Sequence, residues 1–473
     1  MNGSKRNIII KEVEDILELT KEQIELATEL YMIKENDNVS NEQAQKAFNL
    51  YTGLIEKPNL LRGPDVVKPI IDKKVVQLTP DLFKTPERII YLTRWVLKIV
   101  PFLTLFNNVG HLPLTRNNND FQAYLEDILN GFLEVVDDIY TKIPRKYNLL
   151  QDINLDNVKA LSSAITTTIK EYYKGYPNVA YDKLAQVIEN HLTPNGYLEH
   201  IMTLDNTWEN ILYKMRTGTG TVYSKDEMFH IPFRLRGLVS TNRYSIPGLP
   251  CVYLGSSPLT CWEELNKPDL NSVQTSLFVV KNISYLDFST PPEAVIDKLK
   301  LQFQFRGIKD TDMSKIYDEL VSYVVLWPLM AACSIRVRNP RDSFKPEYII
   351  PQLLLQWIRQ SEFDGISYFS TKVNRYSMKT ATFYRNFAFP VQTQADDGYC
   401  SVLKEKFEIT DAVPWQSFQI YKDSYLALPN EGSIEAELEF VEGMPLLYRL
   451  TDFSKLETFL YNLYDREKKR MID

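Results

Sequence analysis

The hydrophobic pattern of this 473-residue chain changes its period near residue 208, and this change limits the chain to a mixed architecture. Before that point, apolar residues recur every three or four positions, which predicts amphipathic helices. The stretches with this period are Asn7–Lys34, Pro86–Phe106, Phe121–Ile143, Asn154–Tyr173 and Ala180–Leu192. Beyond it, short stretches alternate or run continuously apolar between turn signals, which is typical of strands. The sequence therefore predicts an α+β protein, with a helical region at residues 1–205 and a mixed α/β domain with a small central β-sheet at residues 206–473.

The mixed domain is predicted to contain short strands separated by a few helices. The predicted strands are Trp208–Met215, Met228–Arg236, Cys251–Leu254, Ser276–Val280, Ser284–Phe288, Ile366–Phe369, Phe407–Thr410 and Ser417–Tyr421. The predicted helices are Leu259–Leu265, Pro292–Phe303, Tyr348–Arg359 and Phe453–Arg470. The first of these helices has the clearest start signal, because Ser257 and Pro258 supply a cap and a first-turn proline.

Composition and charge argue against several classes of protein. Lys and Arg number 54 against 61 Asp and Glu, a net charge of −7, which is the opposite of a chain built to coat nucleic acid. The four cysteines form no CxxC pair, so we expect reduced thiols and a cytoplasmic protein. Met1–Lys11 lacks the apolar core of a secretory signal. The most apolar uncharged run, residues 320–335, is short for a membrane span and contains Pro328, so no membrane association is expected.

Familiar catalytic motifs are missing from the sequence. There is no P-loop, no complete dinucleotide-binding fingerprint around Gly218–Gly220, and no nucleophile elbow of the α/β-hydrolase type. The four histidines lack HExxH or paired-ligand spacing, so no metal site is expected. His230 falls in the predicted strand Met228–Arg236, where a structural role is the first interpretation and a role as a base is the alternative.

The segment Met228–Leu265 is the most informative part of the chain. It contains an Arg-Tyr-Ser-x-x-Gly turn at Arg243–Gly248, a strand end at Tyr253–Leu254, and a helix with the sequence Cys-Trp-Glu-Glu at residues 261–264. Farther along, Asp364–Ser370 reads Asp-Gly-Ile-Ser-Tyr-Phe-Ser. In this order the motifs resemble those of the RES domain family, which is named for an arginine, a glutamate and a serine.

The resemblance covers roughly residues 208–425 and implies both a fold and an activity. RES proteins include toxins of toxin–antitoxin pairs that destroy NAD, and their fold is similar to that of ADP-ribosyltransferases. On this basis we expect an intracellular enzyme that cleaves the nicotinamide–ribose bond of NAD, by hydrolysis or by attack of phosphate. NAD would be the substrate and no cofactor would be needed. The expected partners are an inhibitory protein such as an antitoxin and further copies of the chain.

The family pattern also implies roles for individual residues. Its glutamate matches Glu264, with Glu263 as the adjacent alternative, and its serine matches Ser370. The opening Tyr-Arg-x-Arg strand of the family resembles Leu212–Arg216, in which Lys214 takes the first basic position, so Arg216 is expected to supply the catalytic arginine. The candidates for binding the rest of NAD are Lys214, Arg236, Arg243 and Tyr253.

The chemistry of the reaction explains why these residue types would be needed. Breaking the nicotinamide–ribose bond produces an oxocarbenium-like centre, which the carboxylate of Glu264 could stabilise. The two phosphates favour a guanidinium fork, and the cationic nicotinamide ring could stack on Tyr253. Ser370 could orient the ribose or a phosphate through its hydroxyl. Nicotinamide leaves readily as a neutral base, so neither a metal nor a general acid is required.

Two other functions stay open at the level of sequence. The chain could transfer ADP-ribose to a macromolecule, or it could be an inactive interaction module that keeps the fold. Taken one at a time, the candidate residues have ordinary structural explanations: Glu264 would complement a helix dipole, and Tyr253 and Ser370 would belong to strands. Residues 1–205 contain no recognisable chemistry and could support the fold, sense a trigger or bind a partner.

Overall fold

The computed structural model describes residues 112–116, 120–142, 148–205, 211–291, 310–373, 378–381, 383–421, 437–441 and 444–470. Over these residues the chain is an α+β protein, as the sequence predicts, with helices up to residue 200 and a β-sheet beyond. Three helices predicted from sequence lie outside the described residues: Asn7–Lys34, Pro86–Phe106 and Pro292–Phe303.

The α-helices of the described residues are numbered in chain order. They are α1 (Phe121–Lys142), α2 (Asp152–Tyr173), α3 (Pro177–Val187), α4 (Tyr197–His200), α5 (Lys225–Met228), α6 (Pro258–Glu264), α7 (Asp310–Ser334), α8 (Ile349–Ile358), α9 (Met378–Ala381), α10 (Ser401–Glu405), α11 (Trp415–Tyr421) and α12 (Asp452–Arg470).

The strands are numbered in the same way. They are β1 (Met202–Asp205), β2 (Ile211–Thr217), β3 (Cys251–Gly255), β4 (Val273–Val280), β5 (Ile283–Phe288), β6 (Gly365–Phe369), β7 (Arg385–Pro390), β8 (Phe407–Ile409), β9 (Val413–Pro414), β10 (Glu437–Val441) and β11 (Met444–Leu447). The last two form a separate hairpin-like pair.

Two of the predicted strands are wrong. The stretch Met228–Arg236 follows the short helix α5 and continues into a 3-10 turn at Phe233–Leu238. A capping box between Ser224 and Glu227 starts α5, and this local signal outweighs the alternation of apolar residues. His230 consequently lies in a loop.

The second wrong strand, Ser417–Tyr421, is part of helix α11. Phe418 and Ile420 alternate with polar neighbours, which suggested a strand with one buried face. In the structure Phe418 is fully buried, whereas 76% of the surface of Ile420 is exposed. Two alternating apolar residues are therefore too few to distinguish a strand from a single helical turn.

Nine strands form one sheet in the order β1-β5-β6-β7-β3-β2-β4-β8, with β9 pairing on β4. All neighbours are antiparallel except β5 and β6, which are parallel. The pairing is extensive between β3 and β7, over five residue pairs from Cys251 to Gly255, and between β2 and β4, over seven pairs from Ile211 to Thr217. Between β2 and β3, however, only Tyr213 and Gly255 are paired.

The single β2–β3 bridge nearly divides the sheet into two halves. Helix α6 starts three residues after β3 and lies on the face of the sheet that Tyr213 occupies, because its Leu259 packs in the same core cluster as Tyr213. Tyr213 pairs with Gly255, and residues paired across antiparallel strands project to the same side, so Tyr253, Tyr368 and Asn386 project to this face as well. Of these three residues, only Tyr253 was implied by the family resemblance.

Hydrophobic cores cover both faces of the sheet. On the α6 face, Tyr213 and Leu277 belong to a core that includes residues of α12, among them Leu456 and Phe459. On the opposite face, Leu212 and Phe278 pack with Phe229 and other aromatic residues. Apolar side chains therefore cover both faces of β2 and β4, and these central strands have little exposure to solvent.

One helix of the described residues is long and apolar enough to cross a membrane, Ser314–Ser334 within α7, with mean hydropathy 1.3. Because 78% of this window is buried inside the protein, it has the properties of a core helix.

The chain forms two compact units. The described residues of the first are 123–142, 148–163 and 310–328, and its core includes Phe132 stacked on Trp327 at a centroid distance of 4.1 Å. The second unit comprises 112–122, 164–291 and 329–473, so it holds the entire sheet and all the candidate site residues. The domain boundary between residues 205 and 206 stays a prediction.

Candidate functional site

Glu264 is the last residue of α6, and local sequence determines where this helix begins and ends. Ser257 caps the start by accepting a hydrogen bond from the amide of Thr260 at 3.1 Å, and Pro258 occupies the first turn. Seven helical residues later, Glu264 is exposed at the C-terminal end. A carboxylate is electrostatically unfavourable at that end of a helix, so the structural explanation through the helix dipole does not apply.

Two donors from different strands hold the Glu264 carboxylate. The hydroxyl of Ser370, the residue after β6, donates to Oε1 at 2.5 Å, and the amide Nδ2 of Asn386 on β7 donates to the same oxygen at 2.7 Å. Both Ser370 and Asn386 are buried. No group among the described residues donates to Oε2. The carboxylate is thus fixed through one oxygen, and no described side chain donates to the other.

Glu263, the adjacent alternative, has a different environment. It is buried, and its carboxylate lies 3.5 Å from the ammonium of Lys267 one turn later. Burial raises the pKa of Glu263 more than Lys267 lowers it. The structure therefore brings Glu264, and not Glu263, to Ser370.

Arg243 is a buried guanidinium at the C-terminal end of α7. Its Nη1 donates to the carbonyls of Cys333 and Ile335, both at 3.0 Å, and its Nη2 lies 3.4 Å from the hydroxyl oxygen of Thr371. The guanidinium also sits over the ring of Tyr348, 5.3 Å from the centroid. No carboxylate pairs with Arg243 among the described residues, so its positive charge is uncompensated at close range.

Tyr348 and Tyr368 lie in the electrostatic field of both Glu264 and Arg243. Burial raises the pKa of each phenol, Glu264 raises it further, and Arg243 lowers it. These hydroxyls are therefore neutral donors at physiological pH. Glu264 and Arg243 provide an anion and a cation in range of the same two aromatic rings, which suits a ligand that carries both charges.

Tyr253 and Ser245 form a second hydroxyl pair on the same face of the sheet. Their oxygens lie 2.5 Å apart, and burial raises the pKa of Tyr253 well above its usual value. The hydrogen bond fixes the phenol, so the ring of Tyr253 presents a rigid surface.

Lys214 and Arg216 project from β2, on the face opposite to Tyr213. Lys214 donates to the carbonyl of Phe229, and Arg216 donates to the carbonyl of Glu227. Burial, followed by the nearby Arg216 charge, lowers the pKa of Lys214 to about 7. Neither cation touches Glu264.

Arg216 also stacks on an aromatic ring, whereas Lys214 lies close to two thiols. The guanidinium of Arg216 sits 4.8 Å from the ring centroid of Tyr223. Lys214 interacts electrostatically with Cys251 of β3 and Cys261 of α6, which places it at the divergence of the two sheet halves. Of the two predicted basic positions on β2, Lys214 is the one whose charge acts on both thiols.

Arg236 and His230 lie outside this cluster. Arg236 sits over the ring of Phe233 at 5.0 Å and is 3.5 Å from the carbonyl of Ala395. His230 is buried, and its Nε2 accepts a hydrogen bond from the amide of Cys400 at 2.9 Å. Burial lowers its pKa to about 4, so the ring is neutral and its structural interpretation is the one that these contacts support.

Sequence reasoning missed Asn386, Tyr348 and Tyr368. Tyr368 could have been found, because it precedes Ser370 by two residues in a strand and must share its face. Asn386 and Tyr348 gave no such signal, since only the sheet order and the packing of the 3-10 turn before α8 bring them near Glu264.

The described residues contain no group of three or more His, Cys, Asp or Glu side chains that could hold a metal ion. All four cysteines are free thiols. Burial raises the pKa of Cys251 and of Cys261, the two nearest to the site, so both are protonated and poorly nucleophilic. The chemistry of this cluster is therefore that of one carboxylate, one guanidinium and several hydroxyls.

Two comparisons with known proteins identify neither the family nor the fold of this chain. No protein-family model matches the chain, so the resemblance to RES proteins rests on the motifs above. Among solved structures, the toxin–antitoxin complex MbcT–MbcA of M. tuberculosis aligns with 48% of this chain and 97% of that one, at 12% identity. Its TM-score of 0.23 is too low to establish a shared fold.

Among curated proteins, the Bacillus subtilis (strain 168) protein named "Putative toxin YopC" is 35% identical over 439 residues. The alignment covers 90% of this chain and 95% of the relative. Identity at this level over nearly the whole length of both chains requires a common fold and a common origin. The chain therefore belongs to the family of the Bacillus subtilis YopC protein.

Proposed function

We propose that the chain is an intracellular toxin that consumes NAD by cleaving its nicotinamide–ribose bond. The name of the YopC relative supports the toxin role, and the RES-like motifs support NAD as the substrate. The single observation that carries the proposal is the Glu264 carboxylate, which is fixed through Oε1 by Ser370 and Asn386 and has no donor to Oε2 among the described residues.

A carboxylate held in this way suits the cleavage of an N-glycosidic bond. As the bond between C1′ and the nicotinamide nitrogen breaks, its electron pair leaves with nicotinamide and positive charge develops on the ribose. Oε2 of Glu264 can accept a hydrogen bond from a ribose hydroxyl and stabilise that charge. Ser370 and Asn386 keep the carboxylate from rotating away, so less reorganisation is needed in the transition state.

The charges around Glu264 fit the rest of a dinucleotide. We assign Arg243 as the main anchor of the diphosphate, because its guanidinium is buried, pairs with no carboxylate of the described residues, and acts on the same tyrosines, Tyr348 and Tyr368, as Glu264. Lys214 projects from the opposite face of β2, so it contributes to phosphate binding only through the longer-range effect of its charge. Arg216 then acts mainly through its effect on Lys214, and Tyr253 provides a face for the nicotinamide ring.

The reaction is completed by a nucleophile that adds to C1′. Water would give ADP-ribose and release a proton, whereas inorganic phosphate would give ADP-ribose 1-phosphate. A side chain of a protein, or a nucleic acid, would give a modified macromolecule.

An assay of purified protein with NAD tests this proposal. We expect nicotinamide to be released, as measured by chromatography, with and without inorganic phosphate in the buffer. The second product distinguishes hydrolysis, phosphorolysis and transfer to a macromolecule. Unchanged NAD under all conditions, including addition of a cell lysate as a source of acceptors, would contradict the proposal and favour an inactive interaction module.

An inhibitory protein partner belongs to the same proposal, because a cytoplasmic enzyme that depletes NAD would harm the cell that makes it. Expression of the full chain should therefore lower cellular NAD and arrest growth. Growth arrest without loss of NAD would assign the toxin a different target.

A further inference from the structure

The turn that follows the candidate carboxylate has an uncommon backbone. Asn266 and Lys267, the second and third residues beyond Glu264, have φ values of 63° and 55° and thus lie in the left-handed region. Two consecutive non-glycine residues in this region cost conformational free energy, although asparagine tolerates it best. Such a turn persists only where surrounding contacts hold it.

Backbone hydrogen bonds to α6 close this turn, from Asn266 to Glu263 at 2.9 Å and from Lys267 to Trp262 at 3.0 Å, and a side-chain contact from the turn after β6 adds to them. Lys372 Nζ donates to Oδ1 of Asn266 at 2.8 Å, although both residues are exposed. The backbone amide of the same lysine lies 3.2 Å from the hydroxyl oxygen of Ser370 and donates to it. Lys372 therefore contacts Ser370 through its backbone amide and Asn266, in the turn after Glu264, through its side-chain ammonium.

These hydrogen bonds close a ring. From Glu264 Oε1 the ring runs to the hydroxyl of Ser370, to the amide of Lys372, along the Lys372 side chain to Asn266, and back through the backbone to Glu264. Because the Ser370 oxygen accepts from the Lys372 amide, its own proton is directed to Glu264. An exposed glutamate at a helix end would otherwise sample several rotamers.

We propose that Lys372 and Asn266 are positioning residues, which keep the end of α6 against the turn after β6 so that Glu264 stays in its reactive orientation. This inference rests on the proposed NAD cleavage. Neither residue contacts the substrate in this scheme, and both act through Glu264 and Ser370.

Substitution of both members tests the inference. Lys372→Met keeps the length of the side chain and removes its ammonium, and we expect kcat for NAD to fall about 10-fold with KM changed less than about 2-fold, since a small misplacement of a catalytic group reduces the rate. Asn266→Gly should lower kcat similarly while leaving the melting temperature equal or higher, because glycine relieves the left-handed strain. The double variant should be no slower than either single variant.

Two matched variants complete the test. Lys267→Met removes an exposed ammonium from the same turn, one that lies near Glu263 instead of Asn266, and it should retain the wild-type kcat. Asn266→Asp keeps the acceptor oxygen and the tolerance for the left-handed region, and should restore most of the activity lost in Asn266→Gly. Wild-type kcat in both Lys372→Met and Asn266→Gly would overturn the inference, as would an equal loss in Lys267→Met.

Hydrogen exchange separates this inference from the proposed function. In Lys372→Met the amides of residues 264–267 should exchange faster than in the wild type, whatever the substrate of the protein. Faster exchange with no NAD consumption by the wild type would contradict the proposed reaction and leave the ring in place. Unchanged exchange together with NAD consumption would overturn the ring alone.

Discussion

At the scale of single residues, two neighbouring glutamates in α6 have opposite environments, and this makes them a matched pair. Glu264→Gln keeps an oxygen for Ser370 but removes the negative charge, so NAD cleavage should fall by about 10²-fold or more, while the melting temperature stays near that of the wild type. Glu263→Gln should leave the rate nearly unchanged. Nicotinamide release, measured for both variants, shows which glutamate is catalytic. A larger loss in Glu263→Gln than in Glu264→Gln would assign the catalytic role to Glu263.

The basic residues allow a second residue-scale prediction. Arg243→Lys keeps a positive charge but loses the guanidinium fork, so we expect NAD to bind about 10-fold more weakly in the Glu264→Gln background. Lys214→Ala and Arg216→Ala should have smaller effects, because Arg243 is the cation whose charge, together with that of Glu264, acts on Tyr348 and Tyr368. Titration calorimetry measures all three. If Arg216→Ala is the most damaging, Arg216 is the anchor, as the family resemblance alone implies.

At the scale of elements, helix α12 carries an ionisable group in the core behind α6. The carboxyl of Glu457 accepts a hydrogen bond from the hydroxyl of Tyr448 at 2.6 Å, and burial raises its pKa to about 8. In the unfolded chain its pKa would be about 4.3. Between these values the folded state holds a proton that the unfolded state has lost, so this group makes stability fall as pH rises from about 4.3 to 8.

Removal of this group should therefore flatten the pH dependence of stability. Its contribution to the slope is at most about 1.4 kcal/mol per pH unit. We expect Glu457→Gln, measured by urea unfolding from pH 5 to pH 8, to lose stability less steeply than the wild type and to exceed it at pH 8. The control is Glu405→Gln on the surface of α10, which should follow the wild-type curve. Parallel curves for Glu457→Gln and the wild type would show that Glu457 is ionised in the folded protein.

The same elements show how much of the fold and site could be predicted from sequence. Local signals located β3, α6 and β6 to within one or two residues, because the Ser257 cap and the Asp-Gly turn before β6 depend on neighbours along the chain. The family resemblance assigned Glu264 and Ser370 to one site, but it gave the substrate, and not the Glu264 carboxylate, as the partner of the Ser370 hydroxyl. Asn386 could not be found, because only the pairing of β6 with β7 brings it to Glu264. Lys372 could not be found either, because it lies 106 residues from Asn266 along the chain.

At the scale of the whole molecule, the compact unit that contains the site also contains residues that precede the sheet, both from helices and from the segment before α1. Arg116 and Glu347 form a buried ion pair at 2.7 Å, and the amide of Arg336 donates to the carbonyl of Leu114 at 2.8 Å. Helix α3 packs on α8, where Tyr181 donates to Gln360. These contacts tie residues before the sheet to the elements that surround Arg243.

A fragment that begins after Leu192 tests whether these helical residues support the fold or restrain the enzyme. It keeps every candidate site residue but loses residues 112–122 and 164–192 of the same compact unit, which would leave Glu347 as a buried carboxylate without its partner. Loss of one member of a buried ion pair typically costs about 3–5 kcal/mol. We therefore expect the fragment to be poorly soluble and inactive, whereas a control fragment that begins at Leu112 should be more soluble, as measured by expression and gel filtration. A soluble fragment 193–473 that consumes NAD faster than the full chain would instead identify the removed helices as a restraint on the enzyme.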